Sequence, residues 1–286
     1  MKHILVLVVV AAVIASCTPA KEKKTEEVKA PTLTKKWESD TLLTTCESVL
    51  YDKTNDVLYV ADIAGDPSKA DGVGYISKLG LDGKIIDAQW VKGLNAPKGM
   101  GISNGKLYVA DITNLVEIDI ASGAVSKSYP VEGSQFLNDV TVDGAGKVYV
   151  SDSNTGNVHV LENGAVTTYV SGVTGVNGLL ADGDIFLVAS FSGGTLNTLD
   201  ASKQVVLKAD SVENADGIEA VGDGGYLVSS WNGKVTYVAP DGTTTVLLDT
   251  TGDKISAADI EYIADKKLLL VPTFFANKVV AYELAN

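Results

Sequence analysis

The feature that most restricts the fold of this chain is a short motif that returns six times. A polar residue, a small or polar residue and an aliphatic recur as Glu47-Ser48-Val49, Lys98-Gly99-Met100, Asn138-Asp139-Val140, Asn177-Gly178-Leu179, Asp216-Gly217-Ile218 and Ala258-Asp259-Ile260. After a longer first unit the spacing is about 40 residues, a period typical of architectures in which each repeat is one supersecondary block. Beyond each motif lies a β-rich run, at residues 57–61, 107–110, 148–151, 186–189, 226–229 and 268–271. Most of these runs follow turn formers such as Asp-Gly, Asn-Gly or Gly-Ala-Gly. A third strand follows, as at 157–161 and 234–238, and then a fourth, as at 166–170. Four strands per unit, with no helical-period segment after the N-terminal region, predict an all-β six-bladed β-propeller. An open β-sandwich or two smaller β domains would also show regular turns, but six units of the same build argue against both. The sixth unit stops after its third strand, at Tyr282-Glu283-Leu284, while the strand-like segment 34–43 precedes the first motif. That segment is expected to supply the missing outer strand and close the ring.

The chain before the repeats has a different character. Met1-Lys2-His3 leads into an apolar run, residues 4–15, which is too short to span a bilayer and has the layout of a secretory signal. It ends in Ile14-Ala15-Ser16-Cys17, which resembles the bacterial lipobox, whose cysteine is lipidated and becomes the new N-terminus. An ordinary signal peptide with an incidental cysteine is the alternative. Residues 18–33 are charged, contain proline and lack large apolar groups, so ordering them would gain too little burial to offset the lost entropy. The expected organisation is therefore a signal peptide at 1–16, a flexible tether at 17–33 anchored through Cys17, and a propeller at 34–286. Thr18 follows Cys17 where a retention aspartate would stand, and by its resemblance to other bacterial lipoproteins this implies the outer rather than the inner membrane of a bacterial envelope. If Cys17 carries lipid, Cys46 has no partner and no disulfide framework holds the domain. A net charge of −13, spread along the chain, argues against nucleic acid or an anionic membrane surface as partner and favours a cation or a neutral ligand.

In a propeller the innermost strand of each blade lines the channel, so the first residue of each motif faces its counterparts at one mouth. Of these positions, Glu47, Asn138, Asn177 and Asp216 bring two carboxylates and two amide oxygens together, hard donors suited to Ca²⁺ or Mg²⁺. Four such ligands leave coordination open for water or substrate. Asn and Asp before glycine are also ordinary turn chemistry, although Glu47 is no turn former. Lys98 would weaken a cation site unless it pairs with Glu47, Asp216 or a substrate carboxylate; as a solvated turn lysine it would do neither. The loops after the second strands are expected to form a rim, acidic on one side (Asp62, Asp111, Asp152) and aromatic on the other (Ser190-Phe191, Ser230-Trp231, Thr273-Phe274-Phe275). Lys98, Phe191, Trp231 and Phe274 would then contact an amphipathic small molecule, unless the aromatics pack between blades. The loop at 62–74 is a candidate lid or partner-binding surface.

The chemistry is narrowed further by what is missing. His159 is the single histidine after the signal region, and it falls within a third strand, so histidine-based triads and zinc sites are excluded. Cys46 adjoins Glu47 but has no histidine to activate it, and reads as a small buried thiol.

Glu47 opening the first unit, LND at 137–139, VNG at 176–178 and ADG at 215–217, in that order, resemble the senescence-marker-protein, gluconolactonase and luciferin-regenerating-enzyme superfamily of six-bladed propellers. The resemblance covers residues 40–286 and lies in the order and spacing of motifs two or three residues long. It implies that Glu47, Asn177 and Asp216 ligate a divalent cation and that Asn138 contacts substrate or a water on the cation. It also implies metal-assisted hydrolysis of a lactone or related ester, with Asp216 accepting a proton. The chain departs from the family at Ser48-Val49, where Gly-Pro follows the glutamate, and at Phe136, where an arginine precedes the asparagine by two residues. These departures argue against a sugar-acid lactone as substrate. They keep open a non-catalytic propeller that binds a protein, a glycan or a small ligand around a structural cation.

Overall fold

The computed structural model describes residues 30–285. The signal segment at 1–16, Cys17 and most of the expected tether lie outside the described residues. The rest forms six four-stranded antiparallel sheets. Strand β1 (Thr32–Glu38) comes first, and blade one follows as β2 (Cys46–Asp52), β3 (Val57–Asp62), β4 (Gly74–Leu79) and β5 (Ile85–Leu94). Blade two is β6 (Pro97–Ser103), β7 (Lys106–Asp111), β8 (Asn114–Asp119) and β9 (Ala124–Pro130); blade three is β10 (Leu137–Val142), β11 (Val148–Asp152), β12 (Asn157–Glu162) and β13 (Ala165–Val170). Blade four is β14 (Val176–Asp182), β15 (Ile185–Ser190), β16 (Thr195–Leu199) and β17 (Val205–Ala209); blade five is β18 (Ala215–Ala220), β19 (Tyr226–Ser230), β20 (Lys234–Val238) and β21 (Thr244–Asp249). Blade six takes β22 (Glu261–Ile263), β23 (Leu268–Pro272) and β24 (Val279–Ala285) from the end of the chain, and β1 from its start. The six-bladed architecture and its four-stranded blades are as expected. The closing strand pairs Thr32 with Ala285 and Glu38 with Val280, so it begins inside the segment read as tether.

The second strands are apolar on both faces because both are covered. Leu58 and Val60 of β3 pack towards blade six with Leu270 and Val279. Their neighbour Tyr59 points the other way, into a core with Met100, Leu107 and Val109 of blade two. The same alternation sets Val148 and Val150 against Leu115 of blade two, while Tyr149 packs with Val176 and Val188 of blade four. Two further clusters join blades four to five and five to six, completing a ring of inter-blade cores. A strand buried on both faces reads as a continuous apolar run, which is why these segments show no polar alternation.

Each inner strand from β2 to β18 carries a register break at its motif, between Cys46 and Ser48, Pro97 and Met100, Leu137 and Val140, Val176 and Leu179, and Ala215 and Ile218. A bulge adds a residue to one strand and re-aims its side chains. Here it turns the first motif residue into the channel mouth. The second motif residue lies against the next blade, where there is little room. A Cβ on Gly178 would overlap the carbonyl oxygen of Asp216, and one on Gly99 would come within 2.5 Å of Asp139 Cα. Glycine is required at these positions by close backbone approach rather than by turn conformation.

Candidate functional site

The mouth opens into a cavity of about 470 Å³ lined by Glu47, Lys98, Asn138, Asn177, Asp216, Phe191, Trp231 and Phe274, together with Ile63, Pro67, Phe136, Ser153, Asn154, Gly175 and Ser192. Every residue expected as ligand, catalytic group or pocket wall is brought to this one space. Phe136, visible in the sequence only as a departure from the family pattern, is part of the wall. Trp231 and Phe274 meet edge to face at 5.6 Å. They pack beside Ile63, Ala96 and Ala258, so the aromatics serve the pocket and the packing between blades together.

Hydrogen bonds orient the polar side chains. Asn177 Nδ2 donates to Asp216 Oδ1 at 2.9 Å, and Asn138 Nδ2 donates to Ser153 Oγ at 3.2 Å. Both amide nitrogens are thereby committed. Glu47 Oε2 and Asn177 Oδ1 are buried and accept no hydrogen bond. Orphaned buried acceptors are costly and rare. Two of them in one cavity, beside a second carboxylate, fit a hard cation that binds through oxygen. Among the described residues no three His, Cys, Asp or Glu side chains form a metal cluster by themselves, so a site here depends on the amide oxygens.

Burial sets the proton affinities of the two carboxyls. The Glu47 carboxyl is raised well above the usual range by burial first and by Asp216 second, with Lys98 opposing. Asp216 is pushed up to about 8 by burial and by the nearby Asp139 carboxyl, while the bond from Asn177 works against the shift. In the unfolded chain Asp216 ionises near its ordinary value of 3.8, whereas in the fold it holds its proton up to about 8. Across that interval the native state binds more protons than the unfolded state, so stability falls as pH rises and levels off above it. The chelated protein is therefore expected to show a urea midpoint that declines from acid to mildly alkaline pH. Asp216→Asn should reduce that decline, which Glu47 and the other buried carboxyls share, and an unchanged slope in the variant would refute the assignment.

The expected acidic rim is not at the mouth. Asp111 is buried and accepts from the backbone N–H of Asn95 at 3.0 Å and of Ala96 at 2.7 Å. Asp152 takes the N–H groups of Gln135 and Phe136 at 2.8 and 3.0 Å, and Asp62 accepts from Ser77 Oγ. Backbone donors entering each blade need acceptors, and an aspartate at the end of the second strand supplies one. Asp111 and Asp152 fix the chain just before the motif and thereby position Lys98 and Phe136, whereas Asp62 bonds the Ser77 hydroxyl of β4. In blades four and six the hydroxyls of Ser190 and Thr273 bond backbone carbonyls instead. Phe275 lies outside the cavity, exposed and packed on Phe274. The loop at 62–74 reaches the cavity through Ile63 and Pro67.

Cys46 donates to the carbonyl of Lys278, and burial pushes its thiol up to about 12, which removes it as a nucleophile. His159 is buried in β12 with Nδ1 near Thr168 Oγ1, away from the cavity.

One layer deeper the channel holds a second acidic group that the motif alone does not reveal. Asp139, Asp259, Glu219 and Glu261 line a chamber of about 210 Å³. Burial raises all four carboxyls, Asp139 to about 6 and Glu261 to about 7. Asp139 accepts from the backbone N–H of Leu179 in the next blade at 2.6 Å, and Asp259 accepts from Ser48 Oγ at 2.7 Å. These contacts tie neighbouring inner strands together.

The fold and this mouth define a six-bladed propeller whose channel entrance carries oxygen donors beneath an apolar-walled cavity. No family model and no curated protein sequence matches the chain. Solved structures share its fold at low identity. A putative gluconolactonase superposes with a TM-score of 0.69 at 15% identity, covering 89% of this chain and 92% of that one. A luciferin-regenerating enzyme gives 0.65 at 14% identity, over 90% and 96% of the two chains. A catalytically inactive, histidine-to-alanine variant of virginiamycin B lyase from Staphylococcus aureus, with quinupristin, gives 0.63 at 11% identity, over 88% and 99%. The structural likeness to gluconolactonase and luciferin-regenerating propellers expected from the motifs is thus found.

Proposed function

We propose that this propeller is a divalent-cation-dependent hydrolase of lactones or related esters. The observation that carries the reading is the pair of buried, unpartnered oxygens, Glu47 Oε2 and Asn177 Oδ1, at a mouth that also holds Asn138 and Asp216. A Ca²⁺ or Mg²⁺ ion held by these four residues would supply Lewis acidity, polarising an ester carbonyl and lowering the pKa of water. Asn138 and Asn177 orient what enters, each with its amide nitrogen already bound to a neighbour. Water adds to the carbonyl carbon and its proton passes to the carboxylate of Asp216, which lines the same cavity. The acyl–oxygen bond then breaks, and the proton is returned to the leaving alkoxide. The aromatic wall takes the apolar body of the substrate and excludes water around the reacting group.

The lyase neighbour was inactivated by replacing one histidine. Among the described residues of this chain the one histidine, His159, lies outside the cavity, which favours hydrolysis over that chemistry. We also propose that lipid at Cys17 holds the protein on the bacterial envelope, where it would meet substrates outside the cytoplasm.

The test is hydrolysis of an aryl-ester and lactone panel by chelated protein, with Ca²⁺ or Mg²⁺ added back, in wild type and Asp216→Asn. Turnover should require the cation and fall by about a hundredfold or more in the variant, the range for loss of a general base. Saturable cation binding without turnover would replace this reading with that of a binding propeller. Hydrolysis indifferent to chelation would overturn it.

A further inference from the structure

Lys98 occupies an unusual position for a lysine. It is 2% exposed, and it is the only basic side chain in the cavity wall. Its ammonium donates to the carbonyls of Ala96 at 3.0 Å and Pro67 at 3.2 Å, and stands 4.3 Å above the ring of Phe136. A protonated lysine has three N–H groups, so two are committed here and one is left. None of the ion pairs among the described residues includes it. Burial lowers the hold of Lys98 on its proton, with the Glu47 and Asp111 carboxylates opposing; a buried cation in no ion pair is costly, and carbonyl dipoles and a π-face offset that cost only in part.

The electrostatic balance of the cavity shows what is missing. On the reading above, a divalent cation claims the carboxylates of Glu47 and Asp216. The other carboxylate that acts on Lys98, Asp111, makes no ion pair with it and is taken up by the backbone N–H groups of Asn95 and Ala96, so the third N–H of the lysine has no acceptor among the described residues. The chain contains no arginine, so no guanidinium is available to read an anionic ligand in its place. We propose that Lys98 anchors an anionic group of the ligand, and that this pocket selects small carboxylates with an apolar, aromatic or acyl body. The body lies along Phe136, Phe191, Trp231 and Phe274, and the carboxylate takes the remaining N–H of the lysine. This rests on the proposed cation-dependent site and specifies its substrate class, namely esters or lactones that bear a second, ionised carboxylate.

The probes are 4-phenylbutyrate and its uncharged amide, titrated calorimetrically into wild type, Lys98→Met and Lys98→Gln, both after chelation and with Ca²⁺ present. Near-ultraviolet circular dichroism reports whether each variant keeps its packing. Wild type should prefer the carboxylate at least tenfold. Either folded variant should lose that preference while holding the amide within twofold. A wild type that binds both probes alike overturns the proposal without any variant being needed. A preference that survives in a folded Lys98 variant also overturns it, because a group other than Lys98 then holds the carboxylate. Binding is read apart from turnover, so a carboxylate-selective protein without esterase activity refutes the hydrolase reading alone, and an esterase without selectivity refutes this inference alone.

Discussion

In calorimetric titrations of chelated protein, Glu47→Gln is expected to weaken Ca²⁺ or Mg²⁺ binding by about two orders of magnitude or more. Losing even an outer partner of a metal ligand costs 10- to 100-fold in affinity. Glu47 supplies both a charge and the orphaned Oε2. The same substitution should not harm the metal-free fold. With no cation present, a buried carboxyl beside Asp216 and without a partner for Oε2 is a burden on the native state. The chelated variant should therefore unfold at a urea concentration equal to or above that of wild type. Affinity lost with stability kept is the pattern of a residue retained for binding. A variant that keeps its affinity would show that the mouth is not the cation site, and a destabilised one would make Glu47 a structural residue.

The second large effect is expected at Gly178. A methyl group there meets the backbone carbonyl of Asp216, which cannot rotate away as a side chain could. Inner strands β14 and β18 would have to separate, and their spacing is fixed by the blade cores behind them. Overpacking of this kind costs about 3 kcal/mol or more. The strain falls on Asn177 and Asp216 together, so cation affinity should drop with stability, in contrast to Glu47→Gln. Gly144→Ala is the control. A Cβ there meets nothing within 4 Å and the residue has no positive φ, so its effect should stay within about 0.5 kcal/mol. Urea midpoints for the two alanine variants measure the difference directly, and similar midpoints would refute the argument.

The blades were legible because each second strand is buried on both faces and leaves an apolar run that a period near 40 residues makes conspicuous. The mouth residues were legible for the same reason, since a repeated position is recognisable even when its identity varies from Glu47 to Ala258. What escaped depended on backbone irregularity. Strict alternation from Asp216 would turn Glu219 away from the channel, but the bulge seats Ile218 in the core between blades four and five and brings Glu219 to the deeper chamber, which Ile218 also touches. Asp111 and Asp152 were misplaced because a carboxylate after a strand looks solvent-facing in sequence. Only the geometry of the incoming turn shows that backbone N–H groups claim it. The burial of Lys98 was equally hidden, because it follows from Phe136 and Pro67, which approach it from blades three and one.

The pairing of β1 with β24 also bears on when the protein can fold. The ring is joined by hydrogen-bonded partners as distant as Thr32 and Ala285, so closure must wait until β24 has left the ribosome. Until then β1 has no sheet to join, and blade six offers a bare edge. Contacts of such long sequence separation make folding slow, because the chain ends must find each other before any pairing between them is rewarded. On the envelope location proposed above, a slow-closing ring would delay the compact state while the chain is threaded across a membrane.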